Sequence, residues 1–131
     1  MENLTFKKDE RLNSKILIGK LFSEGDSFLA YPLKVVLLKT DFIESFPAQV
    51  SFSVSKRNFK KAVTRNLIKR RMRETYRLQK SSFYQKLESE NIKLVMMFVF
   101  IGKEISSYQE IEKGMKSALK KTLSKILTVE N

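Results

Sequence analysis

The sequence contains no cysteine, no histidine and no tryptophan. Without cysteine, disulfides and thiolate metal sites are excluded, and without histidine the chain lacks the commonest general acid–base and metal ligand. The only aspartates, Asp9, Asp26 and Asp41, are scattered, and the glutamates form no tight cluster. Because a self-sufficient nuclease needs such residue sets, we expect no catalytic residue and no metal site in the protein itself.

Long apolar runs are also absent. No stretch approaches the roughly 18 apolar residues of a transmembrane helix, and Met1 to Lys8 lack the apolar core of a secretory signal. We therefore expect a cytoplasmic protein with no membrane partner. The length of 131 residues and the hydrophobic content of 42% fit a single domain, residues 1–131, with one packed core.

Positive charge is what the chain has in excess. It carries 26 basic against 14 acidic residues, for a net charge of +12 and a pI near 10.0. The segment from Lys56 to Lys80 holds eleven of the basic residues and a single acid, Glu74. The remainder is close to neutral, so one element is predicted to bind a polyanion such as nucleic acid.

Hydrophobic periodicity predicts three helices. The first spans Arg11 to Ser23 and stops before Gly25. The second spans Ala62 to Lys80. The third begins at a capping box in which Ser107 is followed by Glu110, and its apolar face is formed by Ile111, Met115, Leu119, Leu123 and Ile126.

Three apolar segments are predicted to be strands. Phe28–Lys39 contains Pro32 and is interpreted as one strand that is bulged or at an edge. Gln49–Ser55 alternates apolar and serine residues, the pattern of a half-buried antiparallel strand, and Leu94–Ile101 is apolar throughout, as in a central strand. The order, which is a helix, two or three strands, a helix, a strand and a helix, predicts an α+β fold with helices packed on a small mixed sheet.

The second helix sorts into two stripes at 100° per residue. Ile68, Met72 and Tyr76 share the side predicted to face the core. An adjoining arc of roughly 100° is predicted to be exposed and carries Asn66, Lys69, Arg70, Arg73, Arg77 and Lys80. Arginine suits phosphate oxygens and base stacking, and Glu74 is the only nearby acid, so an ordinary solvated face with internal ion pairs is disfavoured.

Residues 53–57, Ser-Val-Ser-Lys-Arg, and 62–74, Ala-Val-Thr-Arg-Asn-Leu-Ile-Lys-Arg-Arg-Met-Arg-Glu, resemble the signature of the bacterial ribonuclease P protein component. In that family a strand ending in Ser-Lys leads into a helix that opens Ala-Val-x-Arg-Asn-x-x-Lys-Arg-x-x-Arg. The segment from Arg11-Leu12 through Phe22 to Gly25 is similar to the family's first helix. The resemblance implies a ribosomal protein S5 domain 2-like fold with a left-handed βαβ crossover.

The resemblance also implies a function. The protein would be a subunit of a ribonucleoprotein endonuclease whose RNA subunit, with Mg²⁺, removes the 5′ leader of precursor tRNA, while the isolated protein is inactive. Its partners would be the ribonuclease P RNA and precursor tRNA, with no protein partner implied. The RNA-binding residues carried over by position or basic context are Lys56, Arg57, Lys61, Arg65, Asn66, Lys69, Arg70, Arg73 and Arg77. Ile18 and Phe22 would lie in the leader-binding cleft, although Phe22 alone could equally be a core residue.

Three departures from the family pattern stand out. Leu67 replaces a usual basic residue, whose contact is either missing or supplied by Arg71. The turn from Asn58 to Lys61 is one residue longer than the common form and lacks its glycine. Ile18 stands where many members have an aromatic residue. The alternative function is a structural RNA-binding protein of ribosomal type with the same sandwich.

Overall fold

One four-stranded sheet with helices on both faces forms the computed structural model, which describes residues 5–41 and 45–127. Residues 1–4, part of the N-terminus considered above, lie outside the described residues. The predicted order of helices and strands is confirmed, with a short 3-10 turn added at the start. The elements are the 3-10 turn Lys8–Glu10, α1 Lys15–Glu24, β1 Asp26–Ala30, β2 Leu33–Lys39, β3 Ala48–Val54, α2 Ala62–Ser89, β4 Leu94–Phe100 and α3 Tyr108–Leu127.

The sheet order is β1-β2-β4-β3, which confirms that the apolar strand β4 is central. β2 is antiparallel to both β1 and β4, whereas β3 is parallel to β4, pairing Ala48 with Leu94 and Val54 with Phe100. The predicted antiparallel pairing of Gln49–Ser55 was therefore wrong. Alternation reports that one face of a strand is covered but carries no information on direction. The 28 residues of α2 return the chain to the starting end of the sheet, as a parallel pair requires.

The segment Phe28–Lys39, predicted as one strand, is a hairpin of two strands. β1 and β2 pair from Ala30↔Leu33 outward, and Tyr31–Pro32, joined by a cis peptide bond, forms the turn. Proline has no N–H to give to a ladder, and here it marks the reversal of the chain rather than a bulge.

The first helix begins later than the predicted Arg11. Ser14 Oγ accepts a hydrogen bond from the Leu17 N–H at 3.2 Å and caps the helix, which then starts at Lys15. Arg11 instead forms a parallel bridge with Val50 at the outer edge of β3. The predicted stop at Gly25 is confirmed, since α1 ends at Glu24 and Gly25 is its C-cap. A larger residue would not fit there, because its Cβ would lie 2.8 Å from the Leu37 carbonyl oxygen.

Two clusters of buried residues hold the layers together. α2 and α3 cover one face of the sheet, and the predicted stripe of Ile68, Met72 and Tyr76 is fully buried there. On the opposite face α1 packs Leu17 and Leu21 against β2 and β4. The predicted capping box of α3 is confirmed, since Ser107 and Glu110 exchange hydrogen bonds of 2.8 and 3.1 Å.

Candidate nucleic-acid interface

The first half of α2 presents an exposed basic surface. Asn66, Arg70 and Arg73 are exposed and Lys69 is half-buried, as the helical spacing predicts. Within residues 5–41 and 45–127, no carboxylate forms an ion pair with Lys69, Arg70 or Arg73. Like charges at these spacings repel one another, so the surface favours binding of an anion that reaches several cations at once.

Arg77 differs from these cations because it has a partner. Its guanidinium binds the Glu74 carboxylate one turn earlier, with Arg77 Nε 3.2 Å from Glu74 Oε1. The hydrogen bond from Arg77 lowers the pKa of Glu74, and the same bond raises the pKa of Arg77. We therefore expect Arg77 to attract an external anion less strongly than Arg70 or Arg73.

Lys80, which helical spacing had placed on the exposed arc, is buried; this part of the prediction was wrong. Only 3% of its side chain is exposed, and Nζ forms an ion pair with Glu10, whose side chain is fully buried. Lys80 also donates to the Thr5 carbonyl oxygen. The N-terminal segment thus covers α2 at this point, which removes Lys80 from the exposed basic surface.

Two tyrosines complete this buried network. The Tyr84 hydroxyl donates to Glu10 Oε1 at 2.7 Å and accepts from the Tyr76 hydroxyl at 3.1 Å. Burial, with the Glu10 carboxylate nearby, raises the pKa of both tyrosines above the ordinary value near 10. Phe83, Tyr84 and Leu87 are buried beyond Lys80, which is why α2 continues to Ser89 rather than ending where the sequence analysis placed it.

The turn between β3 and α2 is fixed by packing on the sheet and by hydrogen bonds from α2. Phe59 is buried with its ring centroid 5.8 Å from that of Phe100, and Arg65 Nη1 donates to the carbonyl oxygens of Phe59 and Lys60 at 2.8 and 2.9 Å. This packing accommodates the longer turn without its usual glycine. Around the turn, three residues of the predicted site are exposed: Lys56, Arg57 and Lys61.

Arg71, the alternative source of the basic contact missing at Leu67, is half-buried and bonded within the protein. Its Nη1 donates to the Ser106 carbonyl oxygen at 2.7 Å and ties α2 to the loop before α3. Leu67 and Arg71, four residues apart at 100° each, lie on one side of the helix, nearly opposite Lys69. Leu67 itself is half-buried.

A groove of about 400 Å³ connects the basic face of α2 with the N-terminal segment and the edge of β3. Lys69 and Arg73 line it from α2, and Arg11, Asn13 and Ser51 line it from the other side. The sequence analysis missed these last three as site residues. The only sequence pattern that could have indicated one of them is the serine face of β3, which includes Ser51 and faces away from the α2 layer.

The two residues predicted for a leader-binding cleft lie on α1, one turn apart, and do not line this groove. Ile18 is half-buried and packs on the cluster that contains Val36, Val95 and Met97. Phe22 is 59% exposed, so the alternative of ordinary core packing does not hold for it. An exposed aromatic ring is available to stack on a base.

The described residues offer neither a cluster of metal ligands nor a membrane span. No group of three or more acidic side chains in the described ranges is arranged to hold a metal ion. No helix among the described residues is both long and apolar enough to cross a bilayer.

The unpaired basic helix face, the adjoining groove and the exposed aromatic residue define an RNA-binding α+β protein. Residues 6–123 match the family model Ribonuclease P, so the chain belongs to the ribonuclease P protein family. Curated relatives named ribonuclease P protein component include one from Porphyromonas gingivalis, 33% identical over 86% of this chain and 82% of its own. Another, from Clostridioides difficile, is 30% identical over 91% of this chain and 96% of its own.

Solved structures share the fold. The fold is similar to a ribonuclease P protein from Staphylococcus aureus, with a TM-score of 0.66 at 21% identity over 86% of this chain and 94% of that one. A mutant of that protein, described as defective in mRNA degradation, gives a TM-score of 0.70 at 21% identity over 88% and 89%. The α+β fold implied by the resemblance is thereby confirmed.

Proposed function

We propose that this chain binds the ribonuclease P RNA through the first half of α2 and guides the 5′ leader of precursor tRNA across α1, while the RNA performs the cleavage. The observation that carries the proposal is the exposed set of unpaired cations on α2. Three cations rigidly held by one helix match the closely spaced phosphates of folded RNA.

Chemistry is assigned to the RNA because the protein lacks the groups for it. The chain has no histidine, and its described acids form no metal site. In this proposal Mg²⁺ is held mainly by the RNA subunit, and the protein contributes binding and orientation. The setting would be the cytoplasm, where precursor tRNA is processed.

The groove extends the proposed binding surface. Arg11 Cζ lies 5.8 Å from the centroid of the Phe6 ring, on the side of the groove opposite Lys69 and Arg73. Cations and polar side chains from three chain segments would therefore surround an RNA phosphate there. The leader would continue past Phe22, whose exposed ring offers stacking worth about 1–3 kcal/mol per base.

The main experiment reconstitutes cleavage of precursor tRNA with a bacterial ribonuclease P RNA. Addition of the protein is expected to lower the Mg²⁺ concentration needed for leader removal, and Arg73→Ala is expected to weaken that effect about tenfold or more. Lys86→Ala is the matched control, because Lys86 is exposed on the same helix but outside the surface. Cleavage that is equal with and without the protein across Mg²⁺ and salt contradicts the proposal, and cleavage by the protein alone contradicts the assignment of chemistry to the RNA.

The leader contact is tested separately. Phe22→Ala is expected to weaken binding of precursor tRNA to the reconstituted complex by about fivefold or more, because stacking on one base is lost. Binding of mature tRNA, which has no leader, should not change. An equal effect on both RNAs would show that Phe22 acts on the fold or on the RNA subunit instead.

A further inference from the structure

A second basic surface lies on α3, away from the groove and from the basic half of α2. Lys113, Lys116 and Lys120 are all exposed. Their spacing of three and four residues places them in one stripe along the helix. The opposite side of α3, which includes Ile111 and Met115, is buried against the sheet.

Two acids of α3 lie beside this stripe, but among the described residues they form no ion pair with it. In the described part of the chain, none of the three lysines forms an ion pair. The nearest acids of the helix are Glu110, which serves the capping box with Ser107, and Glu112. Like charges at these spacings destabilise a helix by about 0.2–0.5 kcal/mol for each pair, a cost that a bound polyanion offsets.

The stripe is also held rigidly. α3 approaches the β1–β2 turn so closely that a Cβ at Gly114 would lie 2.8 Å from Pro32 Cδ. Lys121 Nζ donates to the Leu29 carbonyl oxygen at 3.0 Å and fixes the same side of the helix. The three lysines therefore face away from the sheet in a defined orientation.

The residue types in the stripe indicate which part of a polyanion it would bind. It contains lysine and no arginine, so it offers point charges rather than the planar groups that read or stack on bases. None of the large exposed apolar residues in the described ranges lies on α3. Base stacking and insertion into a membrane surface both need such residues, whereas a duplex exposes its phosphates and hides its bases.

The geometry points to the α3 stripe as a second RNA-binding surface, which binds the phosphate backbone of a double-helical segment of the RNA subunit without reading its sequence. α2 and α3 pack side by side on the same face of the sheet, and neighbouring helices lie about 8–10 Å apart. One RNA can therefore reach both helices. This inference rests on the proposed function for the identity of the RNA.

The test compares two triple variants of the full chain. Lys113→Gln, Lys116→Gln and Lys120→Gln together neutralise the stripe. Lys8→Gln, Lys39→Gln and Lys103→Gln together remove the same charge from exposed positions elsewhere. Binding is measured across salt concentrations with a bacterial ribonuclease P RNA and with a blunt RNA duplex of about 20 base pairs, which spans two helical turns.

The stripe variant is expected to lower the slope of log K against log salt by roughly 2–3 for both RNAs, because each lost phosphate contact removes about 0.9. The scattered variant should change it by less than half as much. Equal changes of the slope in both variants would mean that only the net charge of the protein matters, and would overturn the inference. An unchanged slope in both variants would overturn it as well. Weaker binding to vesicles of phosphatidylglycerol and phosphatidylcholine, with RNA binding intact, would also overturn it.

Arg73→Ala in the same assay separates the two claims. If Arg73→Ala weakens binding of the ribonuclease P RNA and the stripe variant does not, the proposed function stands and the second surface is rejected. If only the stripe variant weakens binding, the α2 interface is rejected instead.

Discussion

Both halves of α2 carry cations, but the cations have different surroundings in the two halves. In the first half Lys69, Arg70 and Arg73 have no carboxylate partner among the described residues and face outward. In the second half Lys80 is buried on Glu10 and Lys86 pairs with Glu90 at 3.8 Å. The difference teaches that a cation of a basic helix is available to an external anion only where the rest of the chain leaves it unpaired.

The largest effect on stability is expected when the buried ion pair in the second half of α2 is removed. Lys80→Met leaves Glu10 buried without its cation, and we expect a loss of about 3–5 kcal/mol in the free energy of unfolding. Lys86→Met is the control on the same helix, and an exposed ion pair contributes only about 0–1 kcal/mol. Denaturant unfolding measures both variants.

A double variant sharpens this result. Glu10→Leu combined with Lys80→Met replaces both charges by apolar groups and should recover much of the lost stability. If Lys80→Met costs no more than Lys86→Met, the ion pair between the N-terminal segment and α2 does not form in solution.

At high pH, deprotonation of the buried tyrosines is expected to destabilise the same half of α2. Because the folded-state pKa values of Tyr76 and Tyr84 are raised above the ordinary value near 10, their contribution is fully present below about pH 10. It is lost as the pH rises further towards the folded values. The free energy of unfolding should then fall by about 1.4 kcal/mol per pH unit for each tyrosine. Tyr84→Phe should roughly halve this slope, and an unchanged slope would count against the network.

The smallest differences are expected within the surface itself. Arg70→Ala should weaken RNA binding about tenfold, and Arg77→Ala by less than about threefold, because Arg77 already shares its charge with Glu74. Glu74→Gln removes the ion pair of Arg77 and should strengthen binding and steepen its salt dependence by at most about one contact. Filter binding across salt concentrations distinguishes these variants, and equal losses for Arg70→Ala and Arg77→Ala would contradict the distinction.

The sequence predicted what depends on neighbours along the chain. Helical spacing identified the buried Ile68, Met72 and Tyr76, and the capping box located the start of α3. It could not identify Lys80 as buried, because its partner Glu10 lies 70 positions away. The groove was missed for the same reason, since Arg11, Ser51 and Lys69 come from three separate segments.

The pairing of Glu10 with Lys80 has a consequence for synthesis of the chain. A ribosome makes the N-terminal segment first, yet the lysine and tyrosine that bury the Glu10 carboxylate arrive 70 and 74 positions later. At bacterial and eukaryotic elongation rates of about 5–20 residues per second, this delay is roughly 4–14 s. The groove also needs Lys69 and Arg73 from α2, so it is completed only after more than half of these 131 residues have been translated.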